Sequence, residues 1–251
     1  MALYKVILSY DGTEFHGSQR QAVKRTVQGV VEETLCELGW IGNSVLFAGR
    51  TDSGVHASGQ VIAFRLDWKH PDGNLLRALN ALLPHDVAAR DISQMPESFH
   101  PRFDAIARTY HYQIDCEPLR NPLQDRYSWK VWPDIDYVLV QKTAKLIPGR
   151  KDFGAFGRPM KPGGATIREV YRAVWHKDGT RFRFEIIANA FLYHMVRHLV
   201  FTQVSVGQGK ITIDEFARYL QEPNFSTAQG LAPPHGLNLK EVLYTKDKLI
   251  K

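Results

Sequence analysis

Strand-like and helix-like segments alternate along the first part of the chain. Short runs rich in β-branched and aromatic residues predict four strands, at residues 4–10, 44–48, 60–67 and 87–92. Apolar residues spaced three and four apart predict two helices, at residues 26–40 and 75–83. The resulting order is β-α-β-β-α-β, which limits the chain to folds that place helices against a largely antiparallel sheet.

The remainder of the chain carries segments of the same kinds in a similar order. Strands are predicted at residues 108–115, 127–131, 167–177, 181–188 and 237–244, and helices at residues 136–147, 191–206 and 212–220. The β-α-β-β-α-β order of the first part is that of the ferredoxin-like, or split βαβ, arrangement, and we interpret the second part as a pseudo-repeat of it. We therefore predict an α+β fold of two pseudo-repeated ferredoxin-like halves, residues 1–105 and 106–251. Together they would form a largely antiparallel sheet with helices on one face and a central cleft.

Composition excludes several classes of protein. No apolar run approaches the roughly 20 residues that a membrane-spanning helix needs, and the first ten residues look like a strand and not like a signal peptide. The chain has 2 cysteines, with neither a Cys-x-x-Cys nor a His-Glu-x-x-His motif, so neither a disulfide framework nor a zinc site is expected. These features predict a cytoplasmic protein without a structural metal.

Positive charge is concentrated in the middle of the chain. The whole sequence has a net charge of +6, from 32 Lys and Arg against 26 Asp and Glu. Residues 101–200 contain 17 basic and 10 acidic residues, a surplus of +7, whereas the rest of the chain is near neutral. A polyanionic partner is one explanation, although many basic proteins bind no nucleic acid.

One segment gathers several side chains that could take part in catalysis. It is Ala48-Gly49-Arg50-Thr51-Asp52-Ser53-Gly54-Val55-His56. A strand ends there, and a polar loop follows that carries a guanidinium, a carboxylate and an imidazole. An ordinary turn explains the Asp-Ser-Gly sequence equally well on local grounds. A carboxylate just after a buried strand is also a natural place for a nucleophile or a general base.

Eight motifs spread over the chain resemble those of the tRNA pseudouridine synthases of the A type. The Asp loop resembles their signature Gly-Arg-Thr-Asp-x-Gly-Val-His. The other seven matching stretches, in chain order, lie at residues 10–21, 26–28, 99–103, 107–112, 152–156, 189–197 and 232–237. One of them departs from the family: Ser18 occupies a position where the family usually has Trp, which affects packing of that loop or its contact with RNA.

The resemblance implies a function and a set of partners. Members of this family isomerise uridines 38, 39 and 40 of the tRNA anticodon stem-loop to pseudouridine. They cut the N1–C1′ glycosidic bond, turn the uracil and join C5 to C1′, without a metal or a small-molecule cofactor. The implied partners are tRNA, held in the central RNA-binding cleft, and a second copy of the chain in a homodimer that holds one tRNA. No membrane partner is implied.

Three residues match the family's catalytic positions. Asp52 matches the catalytic carboxylate, which can attack the sugar, attack the base, or take a proton from C2′. Arg197 matches the basic residue that pairs with it, since a guanidinium within reach would keep the carboxylate ionised. Tyr110 matches an active-site tyrosine that stacks on uracil and relays a proton, although a strand tyrosine taken alone more often packs in a core.

Six residues match or adjoin positions expected to bind the substrate. They are Gln19, Arg20, Arg50, His56, Tyr110 and Leu237. Arg50 matches an arginine that enters the RNA stack when the target base leaves it, with a phosphate contact or a salt bridge as the alternative. His56, like His194, is expected to orient its loop by hydrogen bonding and not to transfer protons.

Two other functions remain open from the residues alone. A non-catalytic RNA-binding protein on a ferredoxin-like scaffold would use sheet aromatics and cations. It would not need Asp52. A glycosidase also cleaves at C1′, but it would need a second carboxylate roughly 5–10 Å from the first, and the matching motifs contain no obvious one.

Overall fold

The computed structural model describes residues 1–222 and 228–246. These residues form ten strands and five α-helices. The strands are β1 (Ala2–Tyr10), β2 (Leu46–Phe47), β3 (His56–Leu66), β4 (Val87–Met95), β5 (Ala107–Asp115), β6 (Trp129–Lys130), β7 (Gly149–Asp152), β8 (Ile167–Asp178), β9 (Arg181–Ala188) and β10 (Leu237–Leu243). The helices are α1 (Val27–Glu37), α2 (Asp72–Leu82), α3 (Tyr137–Leu146), α4 (Met195–Gly207) and α5 (Ile213–Gln221). The predicted α+β class with mostly antiparallel pairing is confirmed.

The chain divides into two compact units. The first contains Met1–Ile106 together with residues 238–246, and the second contains Ala107–Leu237. The first unit thus includes the described end of the chain as well as its beginning.

Strand β3 organises the sheet of the first unit. One edge of β3 pairs with β1, and β1 in turn pairs with β4, both antiparallel. The other edge pairs with β2, antiparallel, and with β10, which runs parallel through the pairs Asn238 with His56 and Leu239 with Ala57. The strand order is therefore β4-β1-β3, with β2 and β10 sharing the outer edge of β3.

Local sequence signals explain where the first helix begins and ends. Thr26 caps α1, and its hydroxyl accepts a hydrogen bond from Gly29 N at 3.2 Å. The apolar residues Val27, Val31 and Leu35 are buried on one face. Gly39 follows the helix with a φ of +85°, a conformation that glycine adopts without strain. The helix therefore forms where the 3–4 spacing predicted it.

The second unit has its own antiparallel sheet in the order β5-β9-β8-β7, with β6 pairing in parallel with the outer edge of β5. Its core contains the fully buried rings of Trp175, Phe182 and Phe184. Trp175 Nε1 donates to Oε1 of Gln203 on α4 at 2.9 Å, so even the polar atom of this ring is satisfied inside the core.

Two predictions for the second unit need correction. The predicted helix from residue 191 begins instead at Met195, because His194 has a left-handed backbone with φ +67° and interrupts the helical pattern. The stretch 151–166, for which the sequence predicted neither a strand nor a helix, contains the end of β7 and a 3-10 turn, Gly154–Phe156. Ladder pairing with β8 creates β7, whose own sequence, Gly-Arg-Lys-Asp, has no strand signal.

Candidate active site

Asp52 lies in the short loop between β2 and β3 of the first unit. Thr51 and Val55, on either side of it, are buried, whereas Arg50 and Ser53 are exposed and Asp52 is half-buried. The loop thus has fixed ends in the core and presents the Asp52 carboxylate near the surface. This arrangement leaves a carboxylate accessible to a large substrate without leaving its backbone loose.

Three hydrogen bonds hold Thr51, the residue just before Asp52. Its backbone N–H donates to Oγ of Ser18 at 2.9 Å, and its carbonyl accepts from Ser18 N at 3.0 Å. Its hydroxyl lies 2.8 Å from the hydroxyl of Tyr10. Every polar atom of Thr51 therefore has a partner within the first unit, which fixes the loop at the position next to the carboxylate.

The group behind the loop is a buried tyrosine–glutamine pair. Gln60 is fully buried, and its Nε2 donates to the carbonyl of Gly49 at 2.9 Å and lies 3.4 Å from the hydroxyl of Tyr10. Burial raises the pKa of Tyr10 to about 12, which the hydrogen bonds from Thr51 and Gln60 only partly offset. Tyr10 is therefore neutral at physiological pH and acts as a hydrogen-bonding support.

His56 holds the other end of the loop. Its Nδ1 lies 3.0 Å from Gly12 N, which donates a hydrogen bond to it. The Asp11 carboxylate lies 3.2 Å from the same nitrogen. A Cβ at Gly12 would lie 2.1 Å from Val55 O, so only glycine permits this approach of the two backbones.

Gln19 and Arg20 directly follow Ser18 and thus lie in the segment that contacts the Asp loop. Both residues are exposed. One Nη of Arg20 donates to Glu32 Oε2 at 2.7 Å, and Glu32 is buried. The other carboxylate oxygen of Glu32 accepts from Val45 N at 2.9 Å. The guanidinium of Arg20 therefore neutralises a buried carboxylate, a partner that the sequence analysis did not identify.

Tyr110 lies on β5 of the second unit. Its side chain is buried, and its ring meets the ring of Phe191 edge-on, with centroids 5.0 Å apart. Tyr112, two residues further along the strand, is fully buried and donates its hydroxyl to Pro233 O at 2.8 Å. Burial raises the pKa of Tyr112 well above its ordinary value. Of the two, Tyr112 has the clearer packing role.

Arg197 is the third residue of α4, and its side chain is 9% exposed. Its Nε donates to the carbonyl of Ala232 at 2.7 Å, and its own carbonyl accepts from Ala232 N at 3.3 Å. The next residue, His198, hydrogen-bonds Gly230 O through Nδ1 at 2.7 Å. The start of α4 therefore fixes the segment that leads to Leu237, which is buried at the start of β10.

The structure thus places the predicted residues in two groups, each within one unit. The first unit brings together Gln19, Arg20, Arg50, Asp52 and His56, and the second brings together Tyr110, Arg197 and Leu237. Sequence analysis missed Tyr10, Gln60 and Phe191. The only local signal for them was their place inside or next to a family motif.

The described part of the chain has neither a cluster of metal ligands nor a membrane-spanning helix. Among residues 1–222 and 228–246, no three His, Cys, Asp or Glu side chains gather as metal ligands. Over the same residues, no helix has both the length and the apolar character needed to cross a membrane.

Comparison with known proteins identifies the family. A family profile described as tRNA pseudouridine synthase matches residues 6–104 and 143–245. The protein named tRNA pseudouridine synthase A from Chloroflexus aurantiacus is 38% identical over 251 residues, covering 97% of this chain and 89% of the relative. Proteins of the same name from Geobacter sp. (strain M21) and Latilactobacillus sakei are 35% and 36% identical, each covering 96% of this chain and 98% of the relative. The chain therefore belongs to the tRNA pseudouridine synthase family and is an isomerase that acts on tRNA.

Proposed function

We propose that this enzyme converts uridines 38, 39 and 40 of the tRNA anticodon stem-loop to pseudouridine. The reaction cuts the N1–C1′ bond, rotates the uracil and forms a C5–C1′ bond, with loss of the C5 proton and uptake of a proton at N1. The observation that carries the proposal is the Asp52 loop, in which a half-buried carboxylate follows a fully hydrogen-bonded Thr51. A carboxylate with a fixed backbone suits nucleophilic or general-base work.

Asp52 is the catalytic carboxylate in this proposal. It acts on the uridine by attack at C1′, by attack at C6 of the base, or by removal of the C2′ proton. All three routes need an ionised oxygen atom close to the glycosidic bond, which joins the ribose to the base. The nucleotide must have left its helix, because neither C1′ nor C5 is reachable in a stacked pair.

Tyr110 and Arg197 are the other two catalytic residues that we propose. The edge-on contact with Phe191 fixes the plane of the Tyr110 ring, which favours stacking on the extruded uracil and proton transfer through the hydroxyl. The bond from Arg197 Nε to Ala232 O orients the guanidinium, which then stabilises the ionised carboxylate. Leu237 supplies an apolar contact to the base.

Three residues of the first unit are proposed to contact RNA around the target, and a fourth, His56, supports substrate binding from behind. Arg50 is exposed next to the Asp52 loop, and it either fills the gap left by the extruded base or contacts a phosphate. Gln19 and Arg20 are exposed in the adjacent segment. His56, which is buried, acts by holding the loop.

We propose that each half of the chain is a ferredoxin-like unit with helices on one face of its sheet. In support, β1 to β4 pair in the order β4-β1-β3-β2, with a helix after β1 and another after β3. In the second unit, β5, β9 and β8 pair in that order, with α3 after β5 and α4 after β9. The division at residues 1–105 and 106–251 and the central RNA-binding cleft stay predictions.

The proposed partners are tRNA and a second copy of the chain, in the cytoplasm and without a cofactor. The surplus of +7 over residues 101–200 supports binding of a polyanion. Binding to tRNA should therefore weaken steeply as salt rises. Sedimentation equilibrium tests the homodimer, since a constant mass of one chain over the working concentration range would remove it from the proposal.

The test of the target positions uses tRNA transcripts with uridine at positions 38, 39 and 40. Carbodiimide labelling followed by primer extension should report pseudouridine at all three positions after incubation with the wild-type enzyme. Transcripts with cytidine at any one position should lose only that signal, and the Asp52→Ala enzyme should give none. Modification confined to other parts of the tRNA would overturn the proposed positions while leaving the family unchanged.

A further inference from the structure

Ser18 occupies the position where the resembling family usually has Trp, yet its side chain is only 1% exposed and contacts the catalytic loop directly. We propose that Ser18 is a positioning residue, whose hydroxyl sets the place of the Asp52 carboxylate by holding the backbone of Thr51. This inference rests on the proposed catalytic role of Asp52.

Ser18 and Thr51 are joined by two hydrogen bonds that resemble one rung of a sheet. Ser18 N donates to Thr51 O at 3.0 Å, and Thr51 N donates to Ser18 Oγ at 2.9 Å. The side-chain oxygen of Ser18 thus accepts the hydrogen bond that a backbone carbonyl would accept in a sheet. The carbonyl of Ser18 remains available for another partner and accepts from Gln28 N, in the first turn of α1, at 3.0 Å.

Through these hydrogen bonds the Asp52 loop is attached to helix α1. Val27 N lies 3.4 Å from Gly17 O, so the first turn of α1 is bonded to both residues that face Thr51. Gly17 has a φ of +88°, and a Cβ there would lie 3.0 Å from Thr51 O. The residue preceding Asp52 is therefore linked to α1 through residues 17 and 18, which contact Thr51 and are hydrogen-bonded to the first turn of the helix.

The loop is also tied down on the other side of Asp52. Gly54 N donates to Phe15 O at 3.2 Å, and Gly12 lies against the backbone of Val55. Asp52 therefore sits between two attachments to the same segment, residues 12–18. On the Thr51 side, the Ser18 hydroxyl is the only acceptor shown for Thr51 N among the described residues.

An indole cannot replace this hydroxyl, because its nitrogen is a donor and has no acceptor site. With Trp at position 18, the Thr51 N–H would need a different acceptor. This chain therefore fixes its catalytic loop by a bond that a Trp-containing relative cannot form. A shift of the carboxylate by a fraction of an ångström is costly, because reactivity depends steeply on the approach geometry.

Two substitutions separate the hydrogen bond from simple packing. Ser18→Ala removes the oxygen, and Ser18→Cys refills the space with a sulfur atom that accepts hydrogen bonds only weakly. Ser53→Ala is the matched control, because it removes a serine hydroxyl from the same loop, and the Phe15 carbonyl that this hydroxyl contacts at 3.2 Å keeps its bond from Gly54 N.

The experiment measures release of tritium from tRNA that carries 5-tritiated uridine, with tRNA affinity and melting temperature determined for each variant. We expect kcat to fall by about 10- to 100-fold in both Ser18→Ala and Ser18→Cys. KM and tRNA affinity should change by less than about threefold, since the substrate contacts remain. Ser53→Ala should behave like the wild type.

Two outcomes would overturn the positioning role of Ser18, and a third would overturn the proposed function instead. If Ser18→Cys retains wild-type kcat, the site needs only volume and the hydroxyl is not a positioning group. If kcat and affinity fall together with the melting temperature in all variants, the role of Ser18 is structural. If the wild-type enzyme releases no tritium, or Asp52→Ala releases it at the wild-type rate, the proposed function fails and not the role of Ser18.

Discussion

In the first unit, hydrogen bonds hold the residue next to the proposed catalytic Asp52, whereas in the second unit an aromatic contact at Tyr110 accompanies a hydrogen bond at Arg197. Asp52 lies in a loop whose neighbour Thr51 makes three hydrogen bonds, to Ser18 and Tyr10. Tyr110 is held by an edge-on aromatic contact with Phe191. Arg197 combines the two modes, because it is buried and its Nε donates a hydrogen bond to Ala232 O.

Because of this difference, we expect the Asp52 loop of the first unit and the packed residues of the second unit to tolerate different substitutions. A hydrogen-bonded loop is sensitive to the loss of one polar atom, because a buried N–H or hydroxyl is left without a partner. A packed group is sensitive to changes in shape, and it tolerates loss of a polar atom that does not touch the substrate.

Arg197→Lys should reduce kcat by roughly 100-fold while tRNA affinity changes little. Lysine keeps the charge but lacks the planar fork that orients a guanidinium between two partners. Steady-state tritium release and filter binding measure the two quantities. Arg181→Lys is the control, because Arg181 lies on β9 of the same unit, is mostly exposed and only approaches Asp115 at 3.6 Å. Equal losses in both variants would remove any special role for Arg197.

Tyr110→Phe should lower kcat by about tenfold without a comparable loss of stability, if the hydroxyl relays a proton. The ring contact with Phe191 survives in this variant. Tyr112→Phe is the matched comparison, because it removes the buried bond to Pro233 O and should lower the melting temperature more than it lowers kcat. An unchanged rate in Tyr110→Phe would reduce Tyr110 to a stacking surface.

Tyr10→Phe should lower the free energy of unfolding by about 1 kcal/mol and reduce kcat by a few fold. The substitution leaves the Thr51 hydroxyl and the Gln60 amide each with one partner fewer in a buried site. Urea denaturation and tritium release provide the two measurements. Tyr244→Phe, which removes a bond to Pro101 O in the same unit, should affect stability alone. A loss of kcat of the same size there would show that the effect is general.

Lowering the pH should destabilise the second unit through its histidines. Burial lowers the pKa of His198 and of His235. Their folded pKa lies below the unfolded value of about 6.5, so the unfolded state binds more protons and stability is lost as pH falls through that range. Melting temperatures between pH 7.5 and 5 should show this decline, and His198→Asn should make it shallower. An identical decline in the variant would assign the effect to other groups.

Local sequence signals predicted helix ends well and long-range contacts poorly. Thr26, Asp136 and Thr212 each cap a helix, because a cap requires only a side-chain oxygen near the next turn. The predicted start of α4 was four residues too early, because nothing in the sequence indicates the left-handed backbone of His194. Strand β7 was missed because its partner β8 determines it.

The candidate site shows the same limit. Family motifs identified Asp52, Tyr110 and Arg197 as a set, but they did not show what holds each residue. Tyr10 and Thr51 are 41 positions apart, and Arg197 and Ala232 are 35 apart, so neither contact follows from spacing. Ser18 was noted as a departure from the family. Only the structure shows that its hydroxyl accepts a hydrogen bond from Thr51 N in the Asp52 loop.

The proposed isomerisation depends most on Asp52 as the catalytic carboxylate. The most direct measurement is tritium release from tRNA labelled at C5 of uridine, with the wild type and Asp52→Ala compared at equal tRNA occupancy. Joining C5 to C1′ expels the C5 hydrogen, so release reports the isomerisation itself. We predict release by the wild type, none above background by Asp52→Ala, and tRNA affinities within about twofold of each other. Release by Asp52→Ala at a rate close to that of the wild type would contradict the account.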